Sequence, residues 1–73
     1  MSSIVTQAMI WNEYGARLNT QDLATLLKRS TGTIRNQLSA GTFPIKTYVE
    51  GGERWAAYQD VAEYLDSKQA QAA

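Results

Sequence analysis

A mainly α-helical domain carrying one β-hairpin is the fold the sequence predicts, and three observations predict it. Apolar residues recur at helical spacing in separate stretches along the chain. The period changes to strand-like alternation only on either side of Gly51-Gly52. Gly15, Gly41 and Pro44 stand where helices would have to end. The 73 residues suffice for one small domain.

The elements follow in order. Residues 4–14 are mostly apolar, with Ile4, Ala8 and Trp11 at helical spacing and Gly15 behind them, which predicts a short helix; Ile4-Val5-Thr6 by itself fits extended backbone equally well. Thr20 is the expected N-cap of a second helix over 20–28, since its hydroxyl can accept from a free first-turn N–H. Asp22 then lies where the helix dipole favours negative charge, and Leu23, Leu26 and Leu27 form one stripe. Ser30 is the next cap, opening a helix over 31–40. Ile34 and Leu38 make its buried edge, and Gly32, Arg35, Asn36 and Ser39 point away from that edge.

Ile45, Thr47 and Val49 then alternate with Lys46, Tyr48 and Glu50, and β-formers resume after Gly51-Gly52. A two-residue turn would set Glu50 opposite Glu53, so a loop longer by a residue or two is expected. Tyr48 and Trp55 fall on one face of the hairpin, and Ile45, Val49 and Tyr58 on the face expected to join the core. Asp60 is expected to cap a last helix with Val61, Tyr64 and Leu65 on one side. The resulting domain covers 1–67, with 1–16 as a helical extension, and 68–73 is expected to fray.

Composition removes several function classes. The chain has no Cys and no His, which excludes disulfides, thiol catalysis and His-based triads and argues against structural zinc. Glu53, Glu63 and Asp66 have no positioned partner and read as a solvated face. Neither a cofactor nor a small-molecule substrate is expected, since so small a scaffold has no room for a deep pocket. No apolar run approaches the ~20 residues that span a bilayer. The first residues lack the basic start and apolar stretch of a signal peptide, so the cytoplasm is the expected compartment. Seven basic residues balance seven acidic ones. Their distribution is uneven: residues 17–49 sum to +4 and residues 50–73 to −3. A basic face and an acidic face are therefore expected.

Only Lys28, Arg29 and Ser30 separate the second and third helices, which makes them cross steeply, as in a helix-turn-helix; the hairpin that follows is what a winged helix-turn-helix requires. In that arrangement one helix fixes the other, whose free face fits a major groove. The ordered residues Leu18-Asn19-Thr20-Gln21-Asp22-Leu23-Ala24, Ser30-Thr31-Gly32-Thr33-Ile34-Arg35-Asn36-Gln37, Gly41-Thr42-Phe43-Pro44, Gly51-Gly52-Glu53-Arg54-Trp55 and Asp60-Val61-Ala62-Glu63-Tyr64-Leu65 carry a resemblance. Over residues 17–66 the chain resembles the excisionase-like and AlpA-like small winged helix-turn-helix proteins of phages and mobile elements, relatives of the MerR DNA-binding domain. Two positions depart from that pattern. Lys28 stands where the family has Gly at a positive-φ turn, and Arg29 where it has Val or Ile. Both departures add positive charge.

The residues expected to meet DNA are Lys28, Arg29, Ser30, Thr31, Gly32, Thr33, Arg35, Asn36, Ser39, Lys46 and Arg54. Arg35 can bridge two acceptors of guanine, and Asn36 can do the same for adenine. Ser30, Thr31 and Thr33 offer hydroxyls at a helix N-terminus, which suits phosphate, although capping alone accounts for Ser30. Gly32 permits close approach of a phosphate, or is simply tolerated in a first turn. Lys46 and Arg54 flank the wing. The resemblance implies a non-enzymatic double-stranded DNA-binding protein. Its role would be an excisionase assisting an integrase, a small transcriptional regulator, or both, with copies binding tandem sites head to tail and bending the DNA. The competing expectation is a winged protein-interaction module that does not bind DNA, which the zero net charge and the acidic residues 50–66 favour.

Overall fold

The computed structural model describes residues 4–72. Its elements run α1 (Ile4–Tyr14), β1 (Arg17–Asn19), α2 (Thr20–Leu27), α3 (Thr31–Ala40), β2 (Tyr48–Glu50), β3 (Glu53–Ala57) and α4 (Tyr58–Ala72). The described chain is thus mainly helical, with one antiparallel sheet of strand order β1-β3-β2. No helix among the described residues is long and apolar enough to cross a membrane.

α1 forms over the expected residues and stops at Gly15, whose φ of +87° suits glycine and whose N–H reaches the Trp11 carbonyl at 2.8 Å. Its Ile4–Trp11 stripe, however, faces outward, and Ile10 is the residue it buries completely. β1 is not foreseen by the sequence reading. It holds one apolar side chain, and its support comes from far along the chain, where Leu18 pairs with Ala56.

The cap of α2 is Asn19, not Thr20. Asn19 Oδ1 accepts the Asp22 N–H at 2.8 Å, and Asp22 Oδ2 accepts the Asn19 N–H at 3.3 Å. This reciprocal box needs an acid three residues after the cap; counted from Asn19, Asp22 fills that place, and counted from Thr20 it does not. α2 ends at Lys28 with φ 57° and ψ 44°, the left-handed conformation that the turn demands. The Arg29 N–H closes the end on the Ala24 carbonyl at 3.0 Å. Lys28 is the one non-glycine at positive φ among the described residues, at a cost of about 1–2 kcal/mol. α3 has the expected bounds and the expected cap: Ser30 Oγ accepts the Thr33 N–H at 3.1 Å. Gly41, at φ +72°, ends it, and the Thr42 N–H bonds the Gln37 carbonyl.

The hairpin corrects two expectations. Its turn has two residues, and Glu50 does stand opposite Glu53. Gly51 and Gly52 both take positive φ, 62° and 82°, which is the twist a two-residue hairpin turn prefers. The like-charge cost is offset because Arg17 reaches across from β1 to Glu50 at 2.8 Å. Tyr48 and Trp55 pair across the strands and share a face, as expected. The opposite face is core only in part. Ile45 is buried, Tyr58 is half-buried, and Val49 is 60% exposed, because it lies at the hairpin's outer end opposite Arg54. Ala56 and Leu18 supply the buried sheet positions instead.

α4 begins at Tyr58, so Asp60 sits within its first turn and does not cap it. The Tyr58 N–H is taken by the Ala16 carbonyl at 3.1 Å, which ties the strand-to-helix junction to the chain before β1. The stretch expected to fray is helical through Ala72, consistent with its Lys, Gln and Ala content; Ala73 lies outside the described residues, as do residues 1–3 of the proposed extension. The core joins Ile10, Leu18, Leu23, Ala24, Ile34, Ile45, Ala56, Val61 and Ala62. Every element except the edge strand β2 places a residue in or directly beside that core. Leu27 and Leu38 are half-buried at its margin.

Candidate functional site

The local sequence fixes how α3 is presented. Lys28 in the left-handed conformation turns the chain sharply, and Ser30 restarts it as a helix within three residues. Ile34, fully buried, pins α3 to the core. Its outer side then carries Gly32, Arg35, Asn36 and Ser39, all exposed and on one face, as the spacing predicts.

Apart from Asn36, exposed on the outer side of α3, the predicted residues fall into three groups. Lys28, Arg29 and Gly32 are exposed around the N-terminus of α3, where unpaired N–H groups and the helix dipole add positive potential. Ser30, Thr31 and Thr33 belong here too, but Ser30 Oγ is engaged by the Thr33 N–H and lies 2.8 Å from the Thr33 hydroxyl. Capping therefore already occupies two of the three hydroxyls.

The second group lines a shallow groove between α3, the start of α2 and the hairpin. Arg35 and Arg54 both line it, and Ser39 adjoins them. Arg54 is half-buried and its guanidinium donates to Thr47 Oγ1 at 2.9 Å, which holds it in place. Lys46 stands apart. It lines a different hollow together with Asp60 and Glu63 of α4.

The same groove contains three residues that the sequence reading did not assign to it: Asn19, Thr20 and Gln21. Asn19-Thr20-Gln21 is a polar run just before an apolar stripe, in which the sequence gives a capping role to Thr20 alone; only the fold shows that the run shares a groove with Arg35 of α3. Glu53 also lines the groove, so an acidic residue shares it with Arg35 and Arg54.

The cations divide cleanly by their surroundings. Arg17 pairs with Glu50 and lies over the Trp55 ring at 4.0 Å. Its guanidinium is held above the usual arginine value, chiefly by the hydrogen bond to Glu50. Lys68 lies over the Tyr64 ring, and Arg54 bonds Thr47. Lys28, Arg29, Arg35 and Lys46 are exposed and make no ion pair or hydrogen bond through their side chains with any described residue. Lys28, Arg29 and Arg35 lie in or just before α3, whereas Lys46 is the one set apart beside α4. No group of His, Cys, Asp or Glu among the described residues could hold a metal ion.

Gly32 gives a direct prediction. A Cβ built there meets nothing closer than Ser30 Oγ at 3.9 Å, and the backbone is not in the left-handed region. Gly32→Ala is therefore expected to raise stability by about 0.4–1 kcal/mol, read in a thermal melt. If Gly32 serves close approach to a ligand, the same change lowers binding while the melt improves.

In comparison with known proteins, the chain matches no family model, no curated protein and no solved structure.

Proposed function

We propose that this chain binds double-stranded DNA as a winged helix-turn-helix, with α3 in the major groove and the β2–β3 hairpin as the wing. The observation that carries the reading is the exposed, unpaired set of cations Lys28, Arg29 and Arg35 in and just before a helix that its own cap and the buried Ile34 hold to the core. A short α2, a three-residue connection and a following hairpin support the architecture. In this reading Arg35 and Asn36 contact base edges. Lys28, Arg29 and the N-terminus of α3 contact phosphate, and Arg54 reaches the flanking backbone from the wing. No step of chemistry is involved. The sequence resemblance to excisionase-like proteins supports a role in which such binding assists an integrase or controls transcription. A head-to-tail contact between copies through their basic and acidic parts has one cation fewer than the charge count suggests, since Arg17 already serves Glu50 in its own chain.

Selection of duplexes from a randomised library tests the reading. A recurrent short motif, protected in footprinting, is expected; absence of any enriched sequence contradicts it. Glu53 supplies a second test. Its negative charge on the groove shared with Arg35 and Arg54 opposes an approaching phosphate, so Glu53→Gln is expected to tighten duplex binding by roughly two- to tenfold at low salt, with the gain shrinking as salt rises. Fluorescence anisotropy measures it, and weaker binding would place Glu53 in a favourable contact.

A further inference from the structure

α1 buries Ile10 yet leaves large apolar side chains on its solvent side. Its inward side carries Ile10 together with half-buried Thr6, Gln7 and Tyr14, and Thr6 donates to Asp66 of α4 at 2.8 Å. Its outward side carries Ile4, Val5, Ala8, Met9 and Trp11, with Asn12 as the one polar side chain among them and Glu13 at its margin. Ile4 and Val5 are 82% and 79% exposed, and Met9 and Trp11 about half. No residue from 4 to 12 is charged. A surface helix ordinarily shows the reverse pattern, and one apolar on its outer side is covered in its working state.

We infer that a second copy of this chain covers it, through antiparallel packing of α1 on α1 about a two-fold axis. An uncharged face can oppose itself, since symmetry brings no like charges together across the axis. The charges at its margins complement each other. Glu13, near the end of α1, flanks Met9 on one side, and Lys68 rims the groove beside Val5 and Met9 on the other, next to Asp66, whose carboxylate the Thr6 hydroxyl already holds. Antiparallel packing carries Glu13 of one copy toward the Lys68 end of the second. It also sets the two helix dipoles in opposition. Trp11, held edge-on to the Tyr58 ring at 5.0 Å, provides a rigid aromatic anchor of the kind that dominates interface energy. One eleven-residue helix is the whole of the proposed contact, so the dimer is expected to be weak and reversible. It uses no residue of α3, so its test needs no DNA and its outcome is independent of the DNA reading.

Sedimentation equilibrium of the whole chain without DNA is expected to show a concentration-dependent monomer–dimer equilibrium. Met9→Glu and Val5→Glu are each expected to weaken it at least about tenfold. Both side chains are exposed enough for the fold to persist, which circular dichroism checks, and two variants guard against one failing to fold. The chain has no cysteine, so Ala8→Cys, near the expected axis, should cross-link to a dimer on mild oxidation, whereas Ser39→Cys on α3 should not. A wild-type chain that stays monomeric at every concentration overturns the inference. So does a dimer indifferent to both glutamate variants, or a monomer that sediments only with lipid vesicles.

Discussion

Ile34→Ala is expected to leave the domain largely unfolded at temperatures where the native chain is folded. Ile34 is fully buried and is the one residue of α3 that reaches the centre of the core. Truncating such a side chain costs about 2–5 kcal/mol through lost burial and the cavity left behind. A domain of this length has a total stability of roughly 4–11 kcal/mol, so the loss is a large share of the whole. Each kcal/mol moves the melting temperature of so small a domain by about 4–8 °C. A drop of roughly 10 °C or more is therefore expected in a thermal melt. Leu27→Ala, at a half-buried position, is expected to lose less. Native stability in Ile34→Ala would mean that α3 is not anchored as described.

Arg35→Ala is expected to do the opposite: bind DNA worse and fold as well as before. The side chain is exposed and has no hydrogen bond or ion pair with a described residue, so its removal leaves the core untouched. Losing one bidentate base contact costs about 1–3 kcal/mol, a fall in affinity of roughly 5- to 150-fold. Arg35→Lys separates the two possible uses of the residue. If Arg35 reads a base through its planar fork, lysine fails to restore affinity; if it only neutralises phosphate, lysine restores most of it. Parallel gel-shift titrations and melts make the comparison. Unchanged affinity in Arg35→Ala removes this residue from the interface.

The helices were legible where local chemistry decides the outcome. Gly15 and Gly41 stop helices because glycine adopts positive φ without strain, and Ser30 starts α3 because its hydroxyl meets a first-turn N–H. The exposed face of α3 followed from 100° spacing once Ile34 was set inward. What escaped was set by partners distant in sequence. β1 is a strand because Ala56 lies opposite Leu18, a fact that three residues cannot announce. Glu50 tolerates Glu53 because Arg17 arrives from another strand. The α1 stripe is a related case: spacing showed that Ile4, Ala8 and Trp11 share a face, and only the fold shows that this face is turned away from the core. Within the candidate site, Arg35 and Ser39 could be placed from the helix alone. The junction of Thr20, Gln21 and Arg54 with them depends on how the hairpin folds back, and so does the separation of Lys46.

Salt-dependent binding of duplex DNA decides whether this chain docks on phosphates. A protein that docks Lys28, Arg29 and the α3 N-terminus on phosphates releases counterions, so the logarithm of its affinity falls linearly with the logarithm of salt concentration, by about 0.9 per phosphate neutralised. The account predicts such a slope for the native chain, equivalent to several phosphates. It also predicts that Arg29→Ala reduces the slope by about one while weakening binding evenly across sequences. A chain that binds no duplex even at low salt, or one whose affinity is flat in salt and indifferent to Arg29→Ala, would contradict it.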